Sequence, residues 1–116
     1  TCQQYDKAIA DLSEAIRLEP GYAIAYYNRG NAHQALHHYE AALADFTQAI
    51  HFHPNFDYAY NNRGVAHYHL QHYAEAIQDY DHALIINPHH AAAQYNRTQA
   101  LKEKNTKTSF WSQLFS

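Results

Sequence analysis

Eleven histidines, one cysteine and a series of asparagines are the side chains of this 116-residue chain that could carry chemistry. His33 and His37 stand four apart, a spacing that sets two imidazoles on one helical face and can present both to a metal ion. A closed site needs further ligands, and no Cys or carboxylate falls into step with that pair. Neither a metal nor a cofactor is therefore expected. Cys2 beside some histidine would make a nucleophile–base pair, but among eleven histidines such a coincidence carries no information. There is no Gly-rich phosphate loop, no GxSxG elbow and no HExxH. The chain does not read as an enzyme.

The elements that must position these residues follow a period of 34. Sliding the chain by that amount aligns Pro20, Pro54 and Pro88, and also Asn28-Arg29, Asn62-Arg63 and Asn96-Arg97. Blocks 23–56 and 57–90 agree at 14 of 34 positions, counted directly from the chain. A fixed period of this length marks a stacked repeat array. Within a block the apolar spacing is helical twice. Ala59, Tyr60, Val65, Ala66 and Leu70 form one stripe, and Tyr73, Ala76, Ile77, Tyr80, Ala83 and Leu84 form a second. Gly64 inside the first helix implies a close crossing, and Asn87-Pro88 ends the second. Each block is thus an antiparallel helix pair.

In the residue types that recur at this period the chain resembles the tetratricopeptide repeat (TPR) family. Tyr60, Gly64, His67, Ala76, Tyr80 and Pro88 stand at the spacing of its signature, and Tyr26, Gly30, His33, Ala42, Phe46 and Pro54 repeat it. His replaces the family's Tyr at 33 and 67, which keeps an aromatic shape in a packing slot and adds a titratable group. The resemblance covers about residues 5–104. It implies an all-α, right-handed solenoid of antiparallel helix pairs, with two full repeats plus flanking half-repeats. Helices are expected at about 3–18, 23–36, 39–52, 57–70, 73–86 and 91–104. Residues 105–116 read as a C-terminal tail able to form a short helix. Because residues 1–20 hold only the second half of a unit, the chain reads as a fragment of a longer array.

Eight basic and 11 acidic residues give a net charge of −3 without a basic stripe, which argues against nucleic-acid binding by counterion release. The single cysteine excludes an intrachain disulfide and fits a reducing, cytoplasmic location. No apolar run is long enough to cross a bilayer. What remains is binding. In the family, the first helices of successive units line a concave groove that holds extended peptides. Carried over, the resemblance implies a lining of Tyr27, Asn28, Asn31, Tyr58, Asn61, Asn62, Val65, Tyr68, His69, Tyr95, Asn96 and Gln99, with Tyr58 and Ile24 at its edge. Asn offers both donor and acceptor to a peptide backbone, and Tyr offers apolar area with a polar tip. One subclass of the family grips a C-terminal carboxylate with two Asn and three basic residues. Asn31 and Asn62 match the two Asn slots, but Tyr27, Ala92 and Asn96 fill the basic ones, so that ligand is not expected. The expected function is a scaffold holding an extended peptide segment of a partner protein. The alternative is a self-associating module that stacks through its end helices.

Two further expectations concern packing. Asp11, Asp45 and Asp79 each precede Arg29, Arg63 and Arg97 by 18 residues, which suggests an ionic ladder between units. In the tail, Phe110, Trp111, Leu114 and Phe115 would arm a shortened second helix, docked back on 91–104 or on another molecule.

Overall fold

The structure, a computed structural model, describes residues 1–115, with side chains through Leu114. The expectations for the Phe115 side chain and for Ser116 lie outside it. The chain forms α1 (Cys2–Leu18), α2 (Ala23–Ala35), α3 (Tyr39–Phe52), α4 (Asp57–His69), α5 (Tyr73–Ile86) and α6 (Ala91–Phe115). Among the described residues there is no strand, and the all-α solenoid stands. The helices pack consecutively, each on the next. In addition α2 touches α4 and α4 touches α6, whereas α1, α3 and α5 do not approach one another. Helices in contact on one side and splayed on the other make the α2–α4–α6 face concave.

The hairpins within units are set by backbone hydrogen bonds. At the end of α2 the His38 N–H donates to the His33 carbonyl at 2.8 Å and the His37 N–H to Gln34 at 3.0 Å. At the end of α4 the His72 N–H donates to His67 and the Gln71 N–H to Tyr68 at the same two lengths. This pattern is the Schellman motif, which needs one left-handed residue. His37 (φ 61°) and Gln71 (φ 64°) fill that role without being glycine, at about 1–2 kcal/mol each. A hydrophobic contact usually joins the two ends of the motif. Here two imidazoles do so, His33 on His38 (5.9 Å between centroids) and His67 on His72 (5.5 Å).

The core is a line of alanines around two rings. Ala25, Ala32, Ala42, Ala49, Ala59, Ala66, Ala76, Ala83, Ala93 and Ala100 are buried together with Phe46 and Tyr80, which hold the same repeat slot. Each ring lies on a glycine. A Cβ on Gly30 would sit 2.7 Å from Phe46 Cε1, and one on Gly64 2.6 Å from Tyr80 Cε1 and 3.1 Å from the Ala76 carbonyl. The glycine in the helix interior is therefore required by the crossing. Burial also pushes the Tyr80 phenol far above its ordinary pKa.

The inter-unit ladder expected from the 18-residue spacing does not form. Arg29 grips Asp45 of its own unit through two bonds (2.9 and 2.7 Å), and Arg63 grips Asp79 in the same way (2.9 and 2.8 Å). Residues equidistant from the turn of an antiparallel hairpin face each other. Arg29 and Asp45 lie eight residues either side of His37, as do Arg63 and Asp79 about Gln71. The third donor of each guanidinium reaches back to a hydroxyl of the preceding unit, Ser13 at 3.1 Å and Thr47 at 3.2 Å. Arg97 has no following hairpin. It turns instead to Asp81, at the slot of Ser13 and Thr47, with 2.5 Å between Nε and Oδ1. Asp11 makes no ion pair among the described residues.

Residues 105–115 continue α6 rather than folding back. The slots that make the hairpin turn at Leu36-His37-His38 and Leu70-Gln71-His72 hold Lys104-Asn105-Thr106 here. The apolar C-cap and the imidazole that closes the motif are both missing, and no Gly or Pro stops the helix. The Phe110, Trp111 and Leu114 side chains are consequently exposed. Thr98, at the slot of Gly30 and Gly64, is exposed and donates to the Gln94 carbonyl at 3.1 Å.

Candidate peptide-binding groove

The concave layer is tied together by amides. Asn62 Nδ2 donates to Asn31 Oδ1 at 2.8 Å and to the Tyr27 hydroxyl at 3.1 Å, joining α4 to α2. Asn61, which is buried, donates to Asn62 Oδ1 at 3.1 Å and accepts from Asn96 Nδ2 of α6 at 3.1 Å. One relay thus crosses three helices. Four of these five residues stand at half-buried positions, where they fix the spacing of the helices while keeping polar atoms at the groove floor.

Beside the relay lies a cleft of about 280 Å³ between α4 and α6. It is lined by Val65, Tyr68, His69, Tyr95, Asn96 and Gln99, with Tyr80 at its base. Burial raises the Tyr68 phenol above its usual pKa, with Glu103, Tyr73 and Tyr95 adding to the effect, so it remains a neutral hydroxyl. His69 is held from behind by Tyr39, whose ring stacks on it at 4.7 Å and 11°. No Lys or Arg lines the cleft.

Of the residues the sequence singles out, the structure gathers Tyr27, Asn31, Asn61, Asn62 and Asn96 into the relay. Val65, Tyr68, His69, Tyr95, Asn96 and Gln99 line the cleft. Tyr58 is exposed and leans on the buried His90 at 4.8 Å. Asn28 is exposed and makes no side-chain hydrogen bond among the described residues. Ile24 belongs to a separate concavity with Tyr22, Phe52, His53 and Phe56.

The histidines sort differently from their spacing. α2 ends at Ala35, so His37 leaves the helical face of His33 and stacks on Tyr39 at 5.7 Å. His90 caps α6: its Nδ1 accepts from the Ala93 N–H at 3.3 Å, which leaves the proton on Nε2, 4.0 Å from Asp57. Burial holds His33 and His67 below the usual imidazole pKa, against the opposing pull of Asp45 and Asp79. Among the described residues one trio, His67, His72 and Glu75, brings three possible metal-ligand atoms within 4.8 Å of one another. Cys2 is exposed on α1 and bonds to no histidine among the described residues.

The "Tetratricopeptide repeat" family matches residues 23–56 and 58–90, and a related "TPR repeat" description matches 2–36. The chain belongs to the tetratricopeptide repeat family. No curated protein sequence matches it significantly. Among solved structures it is similar to the Arabidopsis OM64 TPR domain, with 33% identity and a TM-score of 0.84 over 87% of this chain and 84% of that one. The second TPR domain of human RPAP3, solved in complex with the HSP70 peptide SGPTIEEVD, is 28% identical with a TM-score of 0.82 over 84% and 82%. The first TPR of Spaghetti (RPAP3), bound to the HSP90 peptide SRMEEVD, is 25% identical with a TM-score of 0.86 over 89% and 82%. TPR domains of this kind are in general non-catalytic protein-interaction modules. No helix of the described residues is long and apolar enough to cross a membrane.

Proposed function

We propose that this TPR chain is a non-catalytic scaffold that holds an extended, largely uncharged peptide segment of a partner in the α2–α4–α6 groove. The observation that carries this reading is the amide relay beside a tyrosine-rich cleft with no cation in its lining. The RPAP3 domains named above bind peptides ending in EEVD. Of the five slots that would hold such an anionic end, this chain has Tyr27, Asn31, Asn62, Ala92 and Asn96, and Asn31 and Asn62 already bond to each other at 2.8 Å. Without Lys or Arg the charge-assisted bonds that hold a carboxylate are lost. A neutral backbone, which needs single donors and acceptors, suits the remaining amide groups. A cytoplasmic location belongs to the same reading and fits the lone exposed thiol of Cys2.

Fluorescence anisotropy against a library of extended peptides tests it. Binders should be poor in acidic residues, and an EEVD-ending peptide should bind no better than a scrambled one. Tyr95→Ala with Gln99→Ala should abolish capture at little cost in stability, since both residues lie in the open cleft. If Gln78→Ala, on the exposed face of α5, weakened binding more, the groove would not be the site.

One observation favours self-association as a second reading. Phe110, Trp111 and Leu114 lie exposed on the extension of α6, and Tyr5 and Leu18 lie exposed on α1 at the other end. Sedimentation of the full chain over a range of concentrations separates a stacking module from a monomeric scaffold.

A further inference from the structure

We propose that His67, His72 and Glu75 form a site for one divalent transition cation of the zinc class, clamping the α4–α5 turn. The two Nδ1 atoms stand 3.3 Å apart. Two zinc–imidazole bonds of about 2.0–2.1 Å at a tetrahedral angle separate their nitrogens by roughly the same distance. Glu75 Oε2 lies 4.0 Å from His72 Nδ1 on a side chain that is about half exposed, and the three ligand atoms lie within 4.8 Å of one another. Two imidazoles and a carboxylate, with a fourth position left to water, suit zinc, nickel or copper. Calcium and magnesium take oxygen ligands instead.

The backbone has already built the site. His67 and His72 are the two residues that the Schellman motif brings together, and their main chains are joined by the 2.8 Å bond from the His72 N–H to the His67 carbonyl. Glu75 follows in the first turn of α5. Without an ion, one Nδ1 must carry a proton to bond to the other. With an ion on both Nδ1 atoms, the His67 proton moves to Nε2, which faces the Asp79 carboxylate at 3.9 Å, itself fixed by Arg63. A carboxylate behind a ligating imidazole orients the ring and raises its basicity. Lys104 and Lys107 line the same cleft as His72 and Glu75 and oppose the ion, so affinity has to come from the three ligands and not from a general negative field. The ligand spacing, His-x4-His-x2-Glu, spans a turn and therefore matches no helical pattern.

The test is calorimetric titration of the untagged full chain with ZnCl2 at about pH 7.5, with imidazole 15N resonances followed in parallel. One ion per chain is expected, with the largest changes at Nδ1 of His67 and His72. His72→Ala should abolish that site, and Glu75→Gln, which keeps the side chain's size, should weaken it at least about tenfold. Zinc affinity unchanged in both variants, or resonance changes confined to other histidines, would overturn the proposal.

Discussion

Units 23–56 and 57–90 are the same hairpin with different surfaces, and at the turn they differ in the place of one carboxylate and in how the two imidazoles meet. Both set an Arg opposite an Asp eight residues beyond the turn, a ring on a glycine and two imidazoles across the turn. At the start of the second helix one reads Tyr39-Glu40-Ala41 and the other Tyr73-Ala74-Glu75. A one-residue step on a helix turns a side chain by roughly 100°, which is enough to carry a carboxylate toward or away from the imidazole pair. In the first unit His33 Nδ1 is buried without a hydrogen-bond partner among the described residues, whereas in the second the matching atom meets His72 Nδ1. Slots that must pack are held in common, and solvent-facing slots are free to give each unit its own chemistry.

The largest effect should come from the shared ion pairs. Arg63→Met would leave Asp79 buried and uncompensated, at about 3 kcal/mol or more, and Arg29→Met should cost as much. Arg97→Met, whose pair with Asp81 is about half exposed, should cost under about 1 kcal/mol. Urea unfolding of the three variants checks the order, and a large loss at Arg97 would break the equivalence drawn here.

Next come the glycines. Alanine at Gly30 or Gly64 overpacks the crossing by about 1–3 kcal/mol, partly offset by about 1 kcal/mol of helix propensity. Gly64→Ala should be the worse of the two, because its Cβ also meets the Ala76 carbonyl, whereas Gly30 meets ring atoms that can shift. Thermal melts of both variants separate them.

A smaller effect concerns pH. His33 and His67 have folded pKa values below their ordinary 6.5, through burial first. The unfolded chain then binds more protons, so stability is present above about pH 6.5 and is lost as pH falls through the folded values. The groups facing His67 are Asp79, Arg63, His72 and Glu75. Melting temperature should fall between about pH 7.5 and 5, and a His33→Gln, His67→Gln variant should show a flatter profile.

The smallest change in stability should accompany an exchange between exposed Glu40 and half-buried Ala41. Glu40→Ala with Ala41→Glu copies the second unit's pattern onto the first. Because His33 Nδ1 is buried and does not meet His38, zinc titration of that variant should still count one ion per chain, and a second ion would show that the carboxylate step alone separates the units.

Much of this molecule was legible in its sequence because a 34-residue period constrains many slots at once. The recurring Ala, Gly and Pro positions determined paired helices and their crossing, since small residues and helix stops act locally and identically in each copy, while the concave layer was implied by the family resemblance. Three features were decided only by tertiary structure. Arg29 could face Asp11 or Asp45 by spacing alone, and the position of the hairpin turn selected Asp45. Residues 105–115 carry an apolar pattern suited to a returning helix, but a helix end needs a turn that closes, and Lys104-Asn105-Thr106 does not close one. The trio His67, His72 and Glu75 was hidden because its members share no helical face. They meet only once the left-handed Gln71 reverses the chain, so their proximity is a property of the turn and not of any periodicity.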